Sequence, residues 1–159
     1  MGIKLQLPFT KHFPITFGFG EIPHGMEIKQ KFSEWGLAGH HGIDFGLPEG
    51  TEVLSCDNGK VIMAQENGDF GICVIMQHLW GQSWYAHLQK TKVNIKDEIN
   101  TGQIIGISGK TGAAFGPHLH FGIKLNNADP NNGYLGFSDP SPYFSEDING
   151  KMKIQHEKK

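Results

Sequence analysis

Glycine constrains this chain more than any other residue. There are 22 glycines in 159 residues, roughly twice the ~7% usual in proteins. Glycine in a helix interior costs about 1 kcal/mol relative to alanine, so short strands and tight turns are expected rather than long helices. The patterning agrees. Ile15-Thr16-Phe17-Gly18-Phe19-Gly20 reads as a short strand and turn. Glu52–Ser55 and Lys60–Ala64 read as strands flanking Asp57-Asn58-Gly59, where Asn-Gly supplies the positive φ angles of a tight hairpin. Asn67-Gly68 marks the next turn, before the apolar run Ile72–Met76. Trp80-Gly81-Gln82 separates that strand from Ser83-Trp84-Tyr85-Ala86-His87, and Gln103–Ser108 and Leu119–Leu125 are two further strands. Ile28, Phe32 and Trp35 fall at i, i+4 and i+7, with Glu27 and Lys31 paired outside, which predicts one short amphipathic helix. The expected class is mainly β: a compact antiparallel sheet domain with few short helices. Residues 126–144 are rich in Asn, Asp, Pro and Gly and read as loops. Gly150–Lys159 is a polar, Lys-rich end expected to fray.

Length and charge narrow the function. One domain is expected at this size, with 38% hydrophobic and 19% charged residues, a balance that excludes charge-driven disorder. All 14 basic residues are lysine and the net charge is −2. The absence of arginine argues against a nucleic-acid partner, for which bidentate guanidinium contacts and a basic patch are expected. Ile72–Met76 is the longest apolar run, far short of the ~18 residues that insert into a membrane. Met1–Thr10 has no apolar core of ~7–15 residues, so no export signal is expected in this stretch. Cys56 and Cys73 lie in apolar strand-like segments and read as buried free thiols.

Histidine carries the chemistry. Nine are present. Gly39-His40-His41-Gly42-Ile43-Asp44 places imidazoles and a carboxylate in one tight segment, the donor types that hold a divalent cation. In Gly116-Pro117-His118-Leu119-His120-Phe121, alternation puts His118 and His120 on one strand face and Leu119 and Phe121 on the other. By the same rule His87 shares a face with Tyr85. His78 ends a strand with no carboxylate or cysteine beside it and reads as structural or orienting. His12, His24 and His156 receive no role. Two histidines and an aspartate leave a tetrahedral Zn²⁺ one open position, as in a catalytic site. Two further histidines remain to carry protons. Trp35, Trp80, Trp84, Tyr85 and Phe115 are candidates to line a groove.

The ordered set His40-x-x-x-Asp44, Trp84-Tyr85-Ala86-His87-Leu88 and Gly112-x-x-x-Gly116-Pro117-His118-Leu119-His120-Phe121 resembles the lysostaphin-type zinc metallopeptidases. Gly42-Ile43-Asp44-Phe45, Pro48-x-Gly50-Thr51-x-Val53, Asn58-Gly59-x-Val61 and Gly102-Gln103-x-Ile105-Gly106-x-x-Gly109-x-Thr111-Gly112 extend the resemblance over roughly residues 38–125. It implies an antiparallel β domain whose long loops wall an active-site groove, and a zinc-dependent endopeptidase that hydrolyses peptide bonds in bacterial peptidoglycan. Carried over by position, it makes His40, Asp44 and His120 the ligands of one Zn²⁺, and His87 and His118 the catalytic histidines. It implies peptidoglycan peptides as substrate and action at the cell wall, whether extracellular, periplasmic or phage-associated; a monomer is expected. Residues 1–37 would pack on or flank a metallopeptidase domain at 38–145, with a polar tail at 146–159. Three departures stand out. His41 adds a second imidazole beside His40, Lys96 stands where the family usually has a glycine before Asp97, and residues 21–39 do not match closely. Two other functions are weighed: a non-catalytic wall-binding or partner-activating module of the same fold, and a non-haem iron oxygenase built on two histidines and a carboxylate, for which the arginine that often holds an oxo-acid co-substrate is missing.

Overall fold

Leu119, Phe121 and Ile123 recur at every second position, and successive strand side chains point to opposite faces. All three are fully buried against one core. The computed structural model, which describes residues 2–148, places them in β9, Leu119–Leu125, near the middle of an antiparallel sheet. The other strands are β1 (Ile15–Phe17), β2 (Ile43–Phe45), β3 (Glu52–Leu54), β4 (Gly59–Glu66), β5 (Ile72–His78), β6 (Gly81–Thr91), β7 (Glu98–Ile99), β8 (Ile104–Ser108) and β10 (Phe137–Ser138). Their order is β1-β2-β9-β6-β5-β4-β7, with β10 on β9 and β8 joining β6 to β3. Helix α1, Met26–Trp35, falls where the i, i+4, i+7 pattern predicts it, and buries Phe32. Lys31 leans over the Trp35 ring, 5.8 Å from its centroid, instead of pairing with Glu27.

One sheet face carries Phe45, Tyr85, Leu88, Phe121 and Ile123. Leu5, Leu7 and Phe9 of the N-terminal segment cover it, and Leu5 bridges to Phe144. Ile148 is buried in the same core. Residues 149–159, with His156 and the Gly150–Lys159 end, lie outside the described residues. Cys56 and Cys73 are free and fully buried, as expected, and burial pushes both thiols up to about 12.

Two local expectations fail for physical reasons. Asp57-Asn58-Gly59 forms no positive-φ hairpin; β3 pairs with β8, and β4 pairs with β5 and β7. Asn58 is used in tertiary hydrogen bonds instead. Its carbonyl accepts from His78 Nδ1 at 2.6 Å and its side chain accepts from the Thr101 amide at 2.7 Å. His87 does not share a face with Tyr85. Tyr85 pairs with Phe121 on the core side, and Ala86 pairs with His120 on the opposite side. Between Tyr85 and Leu88 the strand carries one more residue than β5 opposite it, a β-bulge. His87 takes a left-handed φ of 61° there, so Ala86 and His87 both turn away from the core.

Lys96 also adopts a left-handed backbone, φ 76°, a conformation that costs an L-residue with a side chain about 1 kcal/mol. Lys96→Gly should stabilise the protein by about that amount, a rise of about 2–4 °C in Tm at this chain length, measurable by thermal denaturation.

His78 is held by a buried relay. Its Nδ1–H donates to Asn58 O, leaving Nε2 to accept from Ser83 Oγ at 2.6 Å; Tyr85 OH lies 2.8 Å from Ser83 Oγ and accepts from the Cys56 amide. The ring stacks on Trp80 at 4.6 Å. Burial lowers its pKa. A depressed imidazole binds fewer protons folded than unfolded, so its stabilising contribution is complete above the unfolded value near 6.5 and is lost as pH falls from there toward the folded value. The drop in Tm between about pH 7.5 and 5.5 should therefore be shallower in His78→Asn than in wild type.

Candidate metal centre

The pairing of β2 with β9 sets the site. Asp44 lies opposite His120, and Ile43 and Phe45 on either side point into the core, so the carboxylate and the imidazole emerge together on the other face. His40 reaches the same point from the turn before β2. Asp44 Oδ1 is 3.1 Å from His120 Nδ1 and 3.3 Å from His40 Nε2, and the two nitrogens are 3.2 Å apart. His40 Nδ1 lies 3.2 Å from the Gly18 carbonyl. A carbonyl only accepts, so Nδ1 carries the proton and Nε2 presents a lone pair. Three electron-rich atoms thus crowd together with too few protons to join them.

That triangle fits a cation. Tetrahedral zinc with bonds near 2.0–2.1 Å spaces its ligand atoms about 3.3–3.4 Å apart. Burial would raise the Asp44 pKa, but His40 and His118 beside it and its short contacts with His120 and His40 hold it well below the ordinary carboxylate value. Burial lowers His120 despite its bond to Asp44. The triangle therefore offers an ionised carboxylate beside an imidazole, His120, that burial drives toward its neutral form, as a divalent ion needs.

The other two expected site residues stand beside the triangle. His118 Nε2 is 3.6 Å from Asp44 Oδ2, and the His87 and His118 ring centroids are 4.7 Å apart. His87 Nδ1–H donates to Thr111 O at 2.7 Å, and His118 Nδ1–H donates to Gly116 O at 3.0 Å. Both rings therefore point Nε2 away from these carbonyls. Burial, then the neighbouring His118 and His120, lower His87 to about 4. Thr111 is itself anchored, donating to Leu88 O at 2.6 Å and accepting from the Ile72 amide at 3.0 Å.

All five expected site residues line one cavity of about 440 Å³. Its walls are mostly apolar and aromatic: Phe17, Ile28, Phe32 and Trp35 on one side, Phe70 and Phe115 on the other. Trp35 Nε1–H donates across it to Asp69 Oδ2 at 3.1 Å. Of the five candidate groove aromatics, Trp35 and Phe115 line the cavity. Tyr85 is in the core, Trp80 stacks on His78, and Trp84 packs against Phe70 and Phe137. Phe17 and Phe32 were missed by the sequence reading; the i, i+4 spacing had marked only which side of α1 is apolar.

His41 is the further resident. It is buried beside His120, ring centroids 4.7 Å apart, and one nitrogen from each of His40, His41 and His120 lies within 4.8 Å of the others. The tighter 3.1–3.3 Å triangle with Asp44 and His120 is formed by His40. Burial, then the charges of His120 and His40, push His41 down to about 2.

Fold and site together define a class: an antiparallel β domain with a cluster of nitrogen and oxygen donors that could hold a cation, lining a groove. Peptidase family M23 matches residues 38–132, and the chain belongs to that family, a family of metallopeptidases. It is 33% identical to glycyl-glycine endopeptidase ALE-1 of Staphylococcus capitis over 131 residues, 80% of this chain and 33% of that protein. The chain spans about one third of the length of the curated relatives it matches. Among solved structures, it resembles the catalytic domain of the antimicrobial peptidase lysostaphin from Staphylococcus simulans (TM-score 0.68, 30% identity, 82% of this chain and 91% of that one). It also resembles a zinc-containing peptidase from Vibrio cholerae (TM-score 0.69, 27% identity, 87% and 39%).

Gly42 is fixed by the site. A Cβ there would lie 2.6 Å from Phe121 O and 2.7 Å from His120 Nε2. The first is backbone of a paired strand, so relief requires a shift of the chain between His40 and β2 against β9, and the His120 ring must move as well. Gly42→Ala should abolish stoichiometric metal binding, measured by elemental analysis after dialysis, while the far-ultraviolet circular dichroism of the sheet persists.

Proposed function

We infer that the protein is a zinc-dependent endopeptidase hydrolysing peptide bonds in bacterial peptidoglycan. The observation that carries this reading is the 3.1–3.3 Å triangle of His40 Nε2, Asp44 Oδ1 and His120 Nδ1, flanked by two imidazoles with free Nε2 atoms. The similarity to ALE-1 and to the lysostaphin catalytic domain supports the substrate class, and the zinc-containing neighbour supports the metal.

His40, Asp44 and His120 would hold the ion. Bound there, zinc supplies a Lewis acid for a carbonyl oxygen and lowers the pKa of a water toward ~7. The chain supplies the rest. His87 and His118 face the reacting groups through Nε2, their orientation locked by the Thr111 and Gly116 carbonyls. One takes a proton from the attacking water and one hands a proton to the leaving amine or stabilises the developing oxyanion. The apolar walls exclude bulk water, and the peptide lies in a groove whose side wall is α1. Residues 21–39, the segment that departs from the family, build that wall and set which peptide fits.

The test is zinc quantification together with mass spectrometry of fragments released from defined peptidoglycans. One zinc per chain and new amino termini are expected. His87→Ala and His118→Ala should keep the zinc and lose about 10²–10⁴-fold in rate. Zinc-loaded protein that binds wall and releases no amino termini would establish a binding module instead, and iron content with oxygen consumption would establish an oxygenase.

A further inference from the structure

Of the four imidazoles in and beside the donor triangle, every one but one has its outward nitrogen fixed by a carbonyl. His40 donates to Gly18 O, His87 to Thr111 O and His118 to Gly116 O. His120 is the exception. Its Nδ1 faces the donor triangle, so in the metal-binding tautomer its Nε2 carries a proton, and that atom is buried without a partner. Among the described residues one other buried side-chain nitrogen or oxygen lacks a partner, and it is His41 Nδ1. The two rings are neighbours, with centroids 4.7 Å apart. His120 Nε2 lies against Gly42, the residue after His41. The remaining close neighbours of the His41 ring include Phe70 at 5.6 Å and Phe137 at 5.1 Å, whose side chains offer no lone pair. Two neighbouring rings thus each hold one buried nitrogen without a partner, and a neutral His41 whose Nδ1 is unprotonated would match the Nε2–H of His120.

We propose that His41 is a positioning residue for the metal centre: its Nδ1 accepts the Nε2–H of His120 through one bridging water, or directly after a small turn of either ring, and so orients the ring that supplies the third metal donor. This rests on the metal reading above. Partners of this kind fix a ligand's tautomer and ring angle, and their loss weakens metal binding about 10–100-fold. His41 lies outside the donor triangle and need not touch the ion to act.

Asparagine and leucine have nearly the same shape, and asparagine Oδ1 stands where histidine Nδ1 does. His41→Leu and His41→Asn are therefore compared for zinc affinity by competition with a chromophoric chelator, with Tm of the metal-free proteins measured in parallel. His41→Leu should bind zinc about 10–100-fold more weakly than wild type. His41→Asn should recover most of that loss, and the two metal-free variants should melt together. His41→Phe, which keeps the ring and removes the acceptor, should behave as leucine does; if it does not fold, the Asn–Leu pair decides. Zinc binding unchanged in His41→Leu, or equally weakened in His41→Asn, overturns the proposal. Wild-type protein that takes up no zinc overturns it together with the metal reading.

Discussion

The antiparallel register between β2 and β9 is the constraint on which the site depends. Pairing Asp44 with His120 puts a carboxylate and an imidazole side by side on one face. The alternation that does this also sends Ile43, Phe45, Leu119 and Phe121 into the core. A one-residue slip would invert both sets, burying the donors and exposing four large apolar side chains. Core packing therefore enforces the donor geometry. Gly42 is part of the same constraint, since the space a side chain would take is occupied by the Phe121 carbonyl and the His120 ring.

The second device breaks the alternation. In a regular strand His87 would follow Tyr85 into the core. The bulge in β6 and the left-handed backbone at His87 turn it toward the groove, where Thr111 O receives its Nδ1–H. A non-glycine residue in that conformation carries strain of order 1 kcal/mol or more, of the kind stored at functional sites. The surrounding sheet holds it, with Leu88 fully buried just beyond.

Burial gives the site its electrostatic character. Burial, and after it neighbouring histidines, lower the pKa of His41, His87 and His120, while Asp44 stays ionised because histidines converge on it. Leaving a buried polar atom unpaired costs about 1–3 kcal/mol. The unpaired nitrogens of His41 and His120 are thus a cost concentrated at the functional end of the molecule, and the sheet core, with its bonded Cys56–Tyr85–Ser83–His78 relay, carries none among the described residues.

The mainly β class, the helix at 26–35 and the free thiols were legible in the sequence, and the five expected site residues meet in one cavity. Strand alternation, glycine-bounded turns and donor chemistry are local properties, and the ordered motifs resemble those of a known family. Pairing partners were not legible. Asp57-Asn58-Gly59 has the composition of a hairpin turn, yet Asn58 is bound by His78 and Thr101, residues distant in the chain. The orientation of His87 was read wrongly, because a bulge is set by the length mismatch between two strands and leaves no mark in either alone. The complementary orphan nitrogens of His41 and His120 also required the fold, since 79 positions separate them and only the β2–β9 register brings them together. Local sequence chose the chemical groups; long-range packing decided where each one points.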